Sequence, residues 1–333
     1  SSQNKQEIYE NLDIDILIGN KDKSKIDILL KEYIKTHKRY VKFYNDRKLD
    51  FEDMLISDYN HIRAFIKIED GCDNFCSYCI IPYVRGSVRS KNFETVIKEA
   101  KLLTQKGHKE IVLTGIHTGH YMDNGYDLTD LINELSKIED LLRIRISSIE
   151  ITELNDKFLN MLSTNKKVCD HLHIPLQAGS DEILKKMNRK YDLKYYEEKI
   201  KKIRMIRPDI SITTDIIVGF PYETDKLFNE TLEFSRKINF SKIHVFPYSI
   251  RLGTSAANMP NQVDESIKKE RVKKLMDLSE TMEKEYYNKF VGKELDILVE
   301  ECDNNVSIGH SSNYLMIRLN EKLEVGQIYK RII

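Results

Sequence analysis

From residue 61 onward the chain alternates short apolar runs with longer stretches in which apolar residues recur every three or four positions. The runs at 64–69, 110–114, 143–148, 171–174, 211–218 and 242–247 have the length and content of buried strands. Between the first two, residues 92–106 place Val96, Ala100 and Leu103 on one helical face. Leu128, Leu131, Ile132 and Leu135 mark the next helix. Strand–helix alternation predicts a parallel sheet with helices outside, joined by right-handed crossovers. Six such units fall short of the eight that close a barrel.

The pattern differs at both ends. Residues 14–18 read as a short strand, and Ile26, Leu29, Leu30, Tyr33 and Ile34 as one face of a helix. One strand and one helix cannot bury a core alone. Residues 41–60 are polar and read as a linker. A long helix is expected over about 264–289. The period then changes to two, with short strands at 295–300, 306–309, 314–319 and 327–332, the pattern of a small antiparallel β-barrel. The expected domains are therefore 1–60, 61–289 and 290–333. The α/β body is an incomplete (β/α)6 barrel, and the small barrel stands apart from the ends of its strands.

Composition narrows the function. Lysine plus arginine equals aspartate plus glutamate at 53 each, so no global field announces a polyanionic partner. No run of 18 apolar residues suggests a membrane span, and the first residues lack a signal-peptide pattern. Five cysteines in 333 residues are not a disulfide framework. Their clustering suits a reducing cytosol, so the expected location is cytoplasmic.

The chemistry is announced at 71–90, G-C-D-N-F-C-S-Y-C-I-I-P-Y-V-R-G-S-V-R-S. Cys72, Cys76 and Cys79 follow the first strand with spacing C-x3-C-x2-C. Three thiolates on one loop hold a four-iron cluster with one iron free of protein ligands. A zinc site completed by a histidine such as His61 is the alternative. Zinc sites usually show two separated ligand pairs, and no second pair exists here. Cys169 and Cys302 are isolated and read as structural thiols.

C-x3-C-x-aromatic-C after a first strand resembles the radical S-adenosylmethionine (SAM) enzymes. The continuation I-I-P-Y-V-R-G-S-V-R-S resembles their methylthiotransferase branch, most closely the members that modify threonylcarbamoyladenosine in tRNA. The resemblance runs from about residue 12 onward. It implies a [4Fe-4S] cluster on Cys72, Cys76 and Cys79 that binds SAM, whose cleavage yields a radical that activates C2 of the adenosine beside the anticodon. It also implies a TRAM-like RNA-binding module at 290–333. A second [4Fe-4S] cluster belongs to the family's N-terminal domain, whose three cysteines have no counterpart here. The chain thus reads as a truncated form that binds one cluster, and the second is expected only in the intact protein. tRNA is the expected partner, a flavodoxin or ferredoxin the electron donor, and the protein a monomer. Rival readings are action on isopentenyladenosine, action on a ribosomal-protein aspartate, or a zinc-stabilised RNA-binding module.

The resemblance also assigns tasks along the strand ends. Tyr78 meets the SAM adenine, and Thr114-Gly115 replaces the superfamily's glycine-rich turn at the methionine amino group. Ser148, Glu150 and Gln177 fall at the next ends, with Glu150 suited to the ribose hydroxyls and Arg189 to the SAM carboxylate. A helix-start carboxylate is the plain alternative for Glu150 and a surface charge that for Arg189. Arg85, Arg89 and Tyr248 are assigned to the substrate, the two arginines to a phosphate. His173 reads as a satisfied core histidine. Two positions depart from the family pattern: Tyr222 stands where glycine is usual, and Ala178 where serine is usual. Residues 185–207 hold ten basic and three acidic residues, a solvated helix face or a track for RNA.

Overall fold

The apolar runs become strands and the periodic stretches become helices, in a computed structural model that describes residues 13–19, 23, 25–42, 50–52, 54–56 and 61–333. Near the start, β1 (Ile16–Ile18) pairs in parallel with β2 (Tyr40–Lys42), joined by α1 (Ile26–Thr36). Of the apolar face expected on α1 only Leu29 is buried, while Ile26, Leu30 and Ile34 are exposed. A two-stranded ribbon is too narrow to cover a helix. Most of the expected linker lies outside the described residues. Its described part rests on the body, where Lys91 Nζ donates to the Met54 carbonyl at 2.7 Å.

Six parallel strands form the body. β3 (Ala64–Lys67), β4 (Glu110–Thr114) and β5 (Arg143–Ile146) make one sheet in that order. β6 (His171–His173), β7 (Ser211–Val218) and β8 (Lys242–Pro247) make a second. Hydrogen bonds join the two groups, from Cys169 N to Ile144 O at 2.9 Å and from Ile149 N to His173 O at 3.0 Å. The strands therefore follow one another in chain order.

The connecting helices are α2 (Phe93–Gln105), α3 (Leu128–Leu135), α4 (Asp156–Thr164), α5 (Asp181–Lys186), α6 (Leu193–Ile206), α7 (Asp225–Ile238) and α8 (Glu265–Asn288). Polar side chains fix most of their starts. Asn92, Asp127, Asn155 and Asp192 each accept from a backbone N–H three residues on, between 2.8 and 3.1 Å. The faces expected on α2 and α3 pack on Ile66, Leu113 and Ile146 of the strands in one continuous core.

The chain ends in an antiparallel sheet of β9 (Glu294–Asp303), β10 (Val306–Ser311), β11 (Met316–Leu319) and β12 (Ile328–Ile332), ordered β11-β10-β9-β12. Its small core joins Ile297, Leu315 and Ile317 to Tyr286 and Phe290, at and just beyond the end of α8. The sheet seats on the N-terminal ends of the parallel strands. Arg143 donates to the carbonyls of Asp296 (2.5 Å) and His310 (3.0 Å), and Asp170 N donates to Ser312 Oγ at 3.0 Å. The expectation that this module stands apart from the strands holds only for their C-terminal ends.

Candidate active site

The cysteine loop is fixed at its base and its tip. Residues 69–70 pair with 89–90 in a short antiparallel ribbon, closing the loop just before Cys72. Gly71 is required there. Its φ is +90°, and a Cβ would sit 2.1 Å from Ser87 O. Farther out, Ser77 N donates to Met187 O at 3.0 Å and Ser77 Oγ to Lys186 O at 2.8 Å, while Ala256 N donates to Ser77 O at 2.8 Å. The cysteines thus stand at the C-terminal end of β3, anchored to α5 and to the segment after β8.

All three cysteines are free thiols, half-buried. Arg189 Nη1 lies 3.3 Å from Cys76 Sγ, and His117 Nδ1 lies 3.8 Å from Cys72 Sγ. The amide of Asn74 donates to Cys72 Sγ at 3.5 Å. Burial raises the Cys79 thiol above its ordinary value, and the neighbouring Cys76 and Cys72 add to the rise. A bound metal centre would favour the thiolate form of such a sulfur. The donor set fits an iron–sulfur cluster. His61 does not complete a zinc site. It lies before β3, lining a hollow with Arg63, Glu300 and Glu301, whereas the cysteines follow that strand.

Several residues that sequence reasoning missed surround the loop. Glu69 is fully buried, accepts from His117 N at 2.6 Å, and leaves Oε1 without a partner among the described residues. Burial pushes its carboxyl up to about 7. Gly115 is needed beside it, because a Cβ would meet Glu69 Oε2 at 2.8 Å. Glu153 contacts both His117 and His120, whose rings stack at 3.8 Å. The signal was present: two histidines three apart in the glycine-bearing turn 115–120.

Most of the expected strand-end residues gather here. Tyr78 is half-buried, edge-on to Phe220 at 6.4 Å, and burial raises its hydroxyl well above the ordinary value. Thr114 and Gly115 end β4, with Thr114 O accepting from Ile68 N at 2.9 Å. Ser148 is half-buried just past β5. Glu150 caps the helical turn Ile151–Glu153, matching the plain alternative, and also ion-pairs with Arg189. Arg189 is buried rather than a surface charge, touching Glu150, Cys76 and the Tyr191 hydroxyl together. Gln177 adopts φ 71° and bridges to β7 through Asp215 O and Ile217 N.

The residues assigned to substrate are more engaged. Arg89 turns inward to Asp70 at 2.7 Å and to Arg85 O at 2.8 Å, and Arg85 lies 3.6 Å from Asp70 with its side chain about a third exposed. Tyr248 is buried edge-on to Phe220 at 5.3 Å, its hydroxyl without a partner among the described residues. Tyr222 holds φ 71°, the conformation that favours glycine, under Lys186 Nζ at 3.9 Å, and Ala178 is fully buried. Much of the basic stretch 185–207 is structural. Arg204 and Arg207 cap carbonyls of neighbouring segments, and Lys201 pairs with Glu197.

Comparison with known proteins places this arrangement. Residues 66–235 match the radical SAM superfamily. The chain is 40% identical to threonylcarbamoyladenosine tRNA methylthiotransferase MtaB of Bacillus subtilis, covering 91% of this chain and 70% of that protein. It is 39% identical to MtaB of Aquifex aeolicus over 99% of this chain and 80% of that one. A tRNA-2-methylthio-N(6)-dimethylallyladenosine synthase of Thermoanaerobacter is 41% identical, covering 86% of this chain and 62% of the other. Among solved structures, coproporphyrinogen III oxidase HemN of Escherichia coli, a radical SAM enzyme, shares the fold with a TM-score of 0.51 at 16% identity, covering 67% of this chain and 53% of that one. The chain belongs to the radical SAM superfamily, in its MtaB-type methylthiotransferase family.

Proposed function

We propose that this chain acts in converting N6-threonylcarbamoyladenosine beside the tRNA anticodon to its 2-methylthio derivative. One observation carries the reading: three free, half-buried cysteines at a strand end, with the buried Arg189 on Cys76, in a chain that aligns over 91% of its length with an MtaB protein. Cys72, Cys76 and Cys79 would hold the [4Fe-4S] cluster. Bound there, the cluster supplies the electron for SAM cleavage. Tyr78, Thr114, Gly115, Ser148, Glu150, Gln177 and Arg189 would hold SAM. Glu150 keeps the Arg189 fork aimed along the rim, where a ligand carboxylate would compete for it. Arg85 has exposed surface for a tRNA phosphate; Arg89 and Tyr248 would shape the wall behind it.

The six parallel strands are read as an open (β/α)6 barrel over 61–289 and the terminal sheet as a TRAM-like module over 290–333. Residues 1–60 are read as part of the family's N-terminal methylthiotransferase domain plus a linker. A cytoplasmic monomer served by a flavodoxin or ferredoxin completes the picture. A second reading, action on dimethylallyladenosine, is supported by the Thermoanaerobacter relative. Mass analysis of tRNA nucleosides from a strain lacking the gene separates them. Loss of the methylthiolated threonylcarbamoyl nucleoside supports the first reading. Loss of the dimethylallyl product alone overturns it.

A further inference from the structure

One polar group on β6, β7 and β8 has no task in the site above. Along these strands Leu172, Thr214, Ile216 and Ile243 are buried on one face. His173, Asp215 and His244 lie on the other, where the register sets Asp215 beside His244. His173 Nε2 is 3.3 Å from Asp215 Oδ2, its Nδ1 is 2.9 Å from Thr213 Oγ1, and the rings of His173 and His244 are 5.7 Å apart.

The strands curve around this face. Arg63 before β3, Arg145 on β5 and His171 on β6 all converge on the single ring of Tyr314, at 5.4, 4.7 and 4.7 Å. Tyr314 closes the concavity at one end. The other end opens under the cysteine loop, where Tyr78, Phe220 and Tyr248 meet edge to edge. Asp215 lies three residues before Val218, the end of β7, about 10 Å below that rim. Because β8 is last in its row, the face stays accessible. His244 is exposed, and Phe246, two residues nearer the rim, is 49% exposed.

We infer that His244, with the His173–Asp215 pair beside it and Phe246 above, recognises the polar N6 substituent of the modified adenosine. The inference rests on the reading under Proposed function and names the residues that select its substrate. A threonylcarbamoyl group presents a carboxylate, a hydroxyl and N–H groups. The wall presents complementary partners. The ring nitrogens of His244 have no hydrogen-bond partner among the described residues, and an imidazole N–H serves a carboxylate. Asp215, 3.3 Å from His173 Nε2, keeps its second carboxylate oxygen to accept from a hydroxyl or N–H. Burial and the nearby His173 hold His244 below the ordinary imidazole value, so recognition runs through a hydrogen bond rather than a full charge. Phe246 offers a flat face on which an unstacked base rests. A dimethylallyl group has no donor or acceptor, and burying it here would take the ring nitrogens of His244 from water without giving them a partner.

The test compares three anticodon stem–loop RNAs carrying threonylcarbamoyladenosine, dimethylallyladenosine or plain adenosine. Binding to the reconstituted protein is measured by fluorescence anisotropy at fixed salt. The parent should prefer the threonylcarbamoyl RNA over both others. His244→Leu should cut that preference about tenfold or more, and His244→Asn, which keeps a donor, should retain most of it. A His244→Leu protein with the parent's preference overturns the inference and leaves the nucleoside reading standing. Equal loss of all three RNAs in both variants makes His244 structural and also overturns it. A parent without preference for the threonylcarbamoyl RNA overturns the reading itself, and the inference with it.

Discussion

The two ends of the parallel strands use the same residue types to opposite effect. At the N-terminal end Glu110 is fully buried but completely paired, with Arg145 Nε at 2.6 Å and Arg143 Nη1 at 3.4 Å. Burial alone would raise the Glu110 carboxyl; the two arginines bring it below its ordinary value instead. The remaining guanidinium N–H groups donate to carbonyls of the terminal sheet, and Tyr314 stacks between His171 and His310 as a plug. At the C-terminal end Glu69 is equally buried, yet among the described residues Oε1 has no partner, nor do the hydroxyls of Thr118 and Tyr248. Its carboxyl moves up rather than down. A paired buried charge holds two bodies together, whereas a buried carboxyl lacking a cationic partner gives up its charge instead.

The comparison can be broken from either side. The largest effect should come from Cys76→Ala. Production of 5′-deoxyadenosine from SAM should fall to background, with the melting temperature nearly unchanged because the loop lies outside the core. Activity at the parent rate would show that this end is not the cluster site. Arg145→Ala attacks the other end. It strands Glu110 without its main partner and should cost about 3–5 kcal/mol in urea unfolding. Iron bound per folded chain should stay at the parent value. A loss below 1 kcal/mol would mean that the plugged end is not held by this network.

A titration sharpens the contrast further. Glu69 moves from an ordinary 4.5 to about 7 in the folded protein. The folded state therefore keeps a proton that the unfolded chain releases between those values. Its stabilisation is complete below pH 4.5 and is lost as the pH rises through 7. Glu69→Gln should match the parent at pH 4 or below and exceed it by about 2–3 kcal/mol at pH 8. Parallel stability curves for the two proteins would show that Glu69 ionises freely. The smallest effect is expected from Arg189→Lys, which keeps the charge but loses the fork joining Glu150 to Cys76. SAM cleavage should drop about 10–100-fold. Unchanged cleavage would separate Arg189 from the sulfur it touches.

Much of the body was legible because buried parallel strands are near-continuous apolar runs, and polar caps begin the helices between them. The strands starting at Glu110, Ser211 and Lys242 fall where the pattern puts them. The strand pattern at 143–148 says nothing of where Arg143 and Arg145 find their partners. In the structure both guanidiniums are buried under the terminal sheet. Nor did the charge of Arg89, read as a phosphate contact, announce its pairing with Asp70, nineteen positions earlier.

By itself the sequence determined the strand–helix order, the helix starts and the three-cysteine loop. Each is set by residues close together in the chain, through periodicity, capping geometry or the reach of one loop. Only the tertiary structure decided which charges are paired. It brought Arg189 to Cys76, His117 to Cys72 and Tyr314 to Arg145 across separations of 113, 45 and 169 residues. Among the described residues it also left Ile26, Leu30 and Ile34 of α1 exposed. Pairing and burial depend on what a distant segment places alongside a side chain, and a local pattern carries no record of that neighbour.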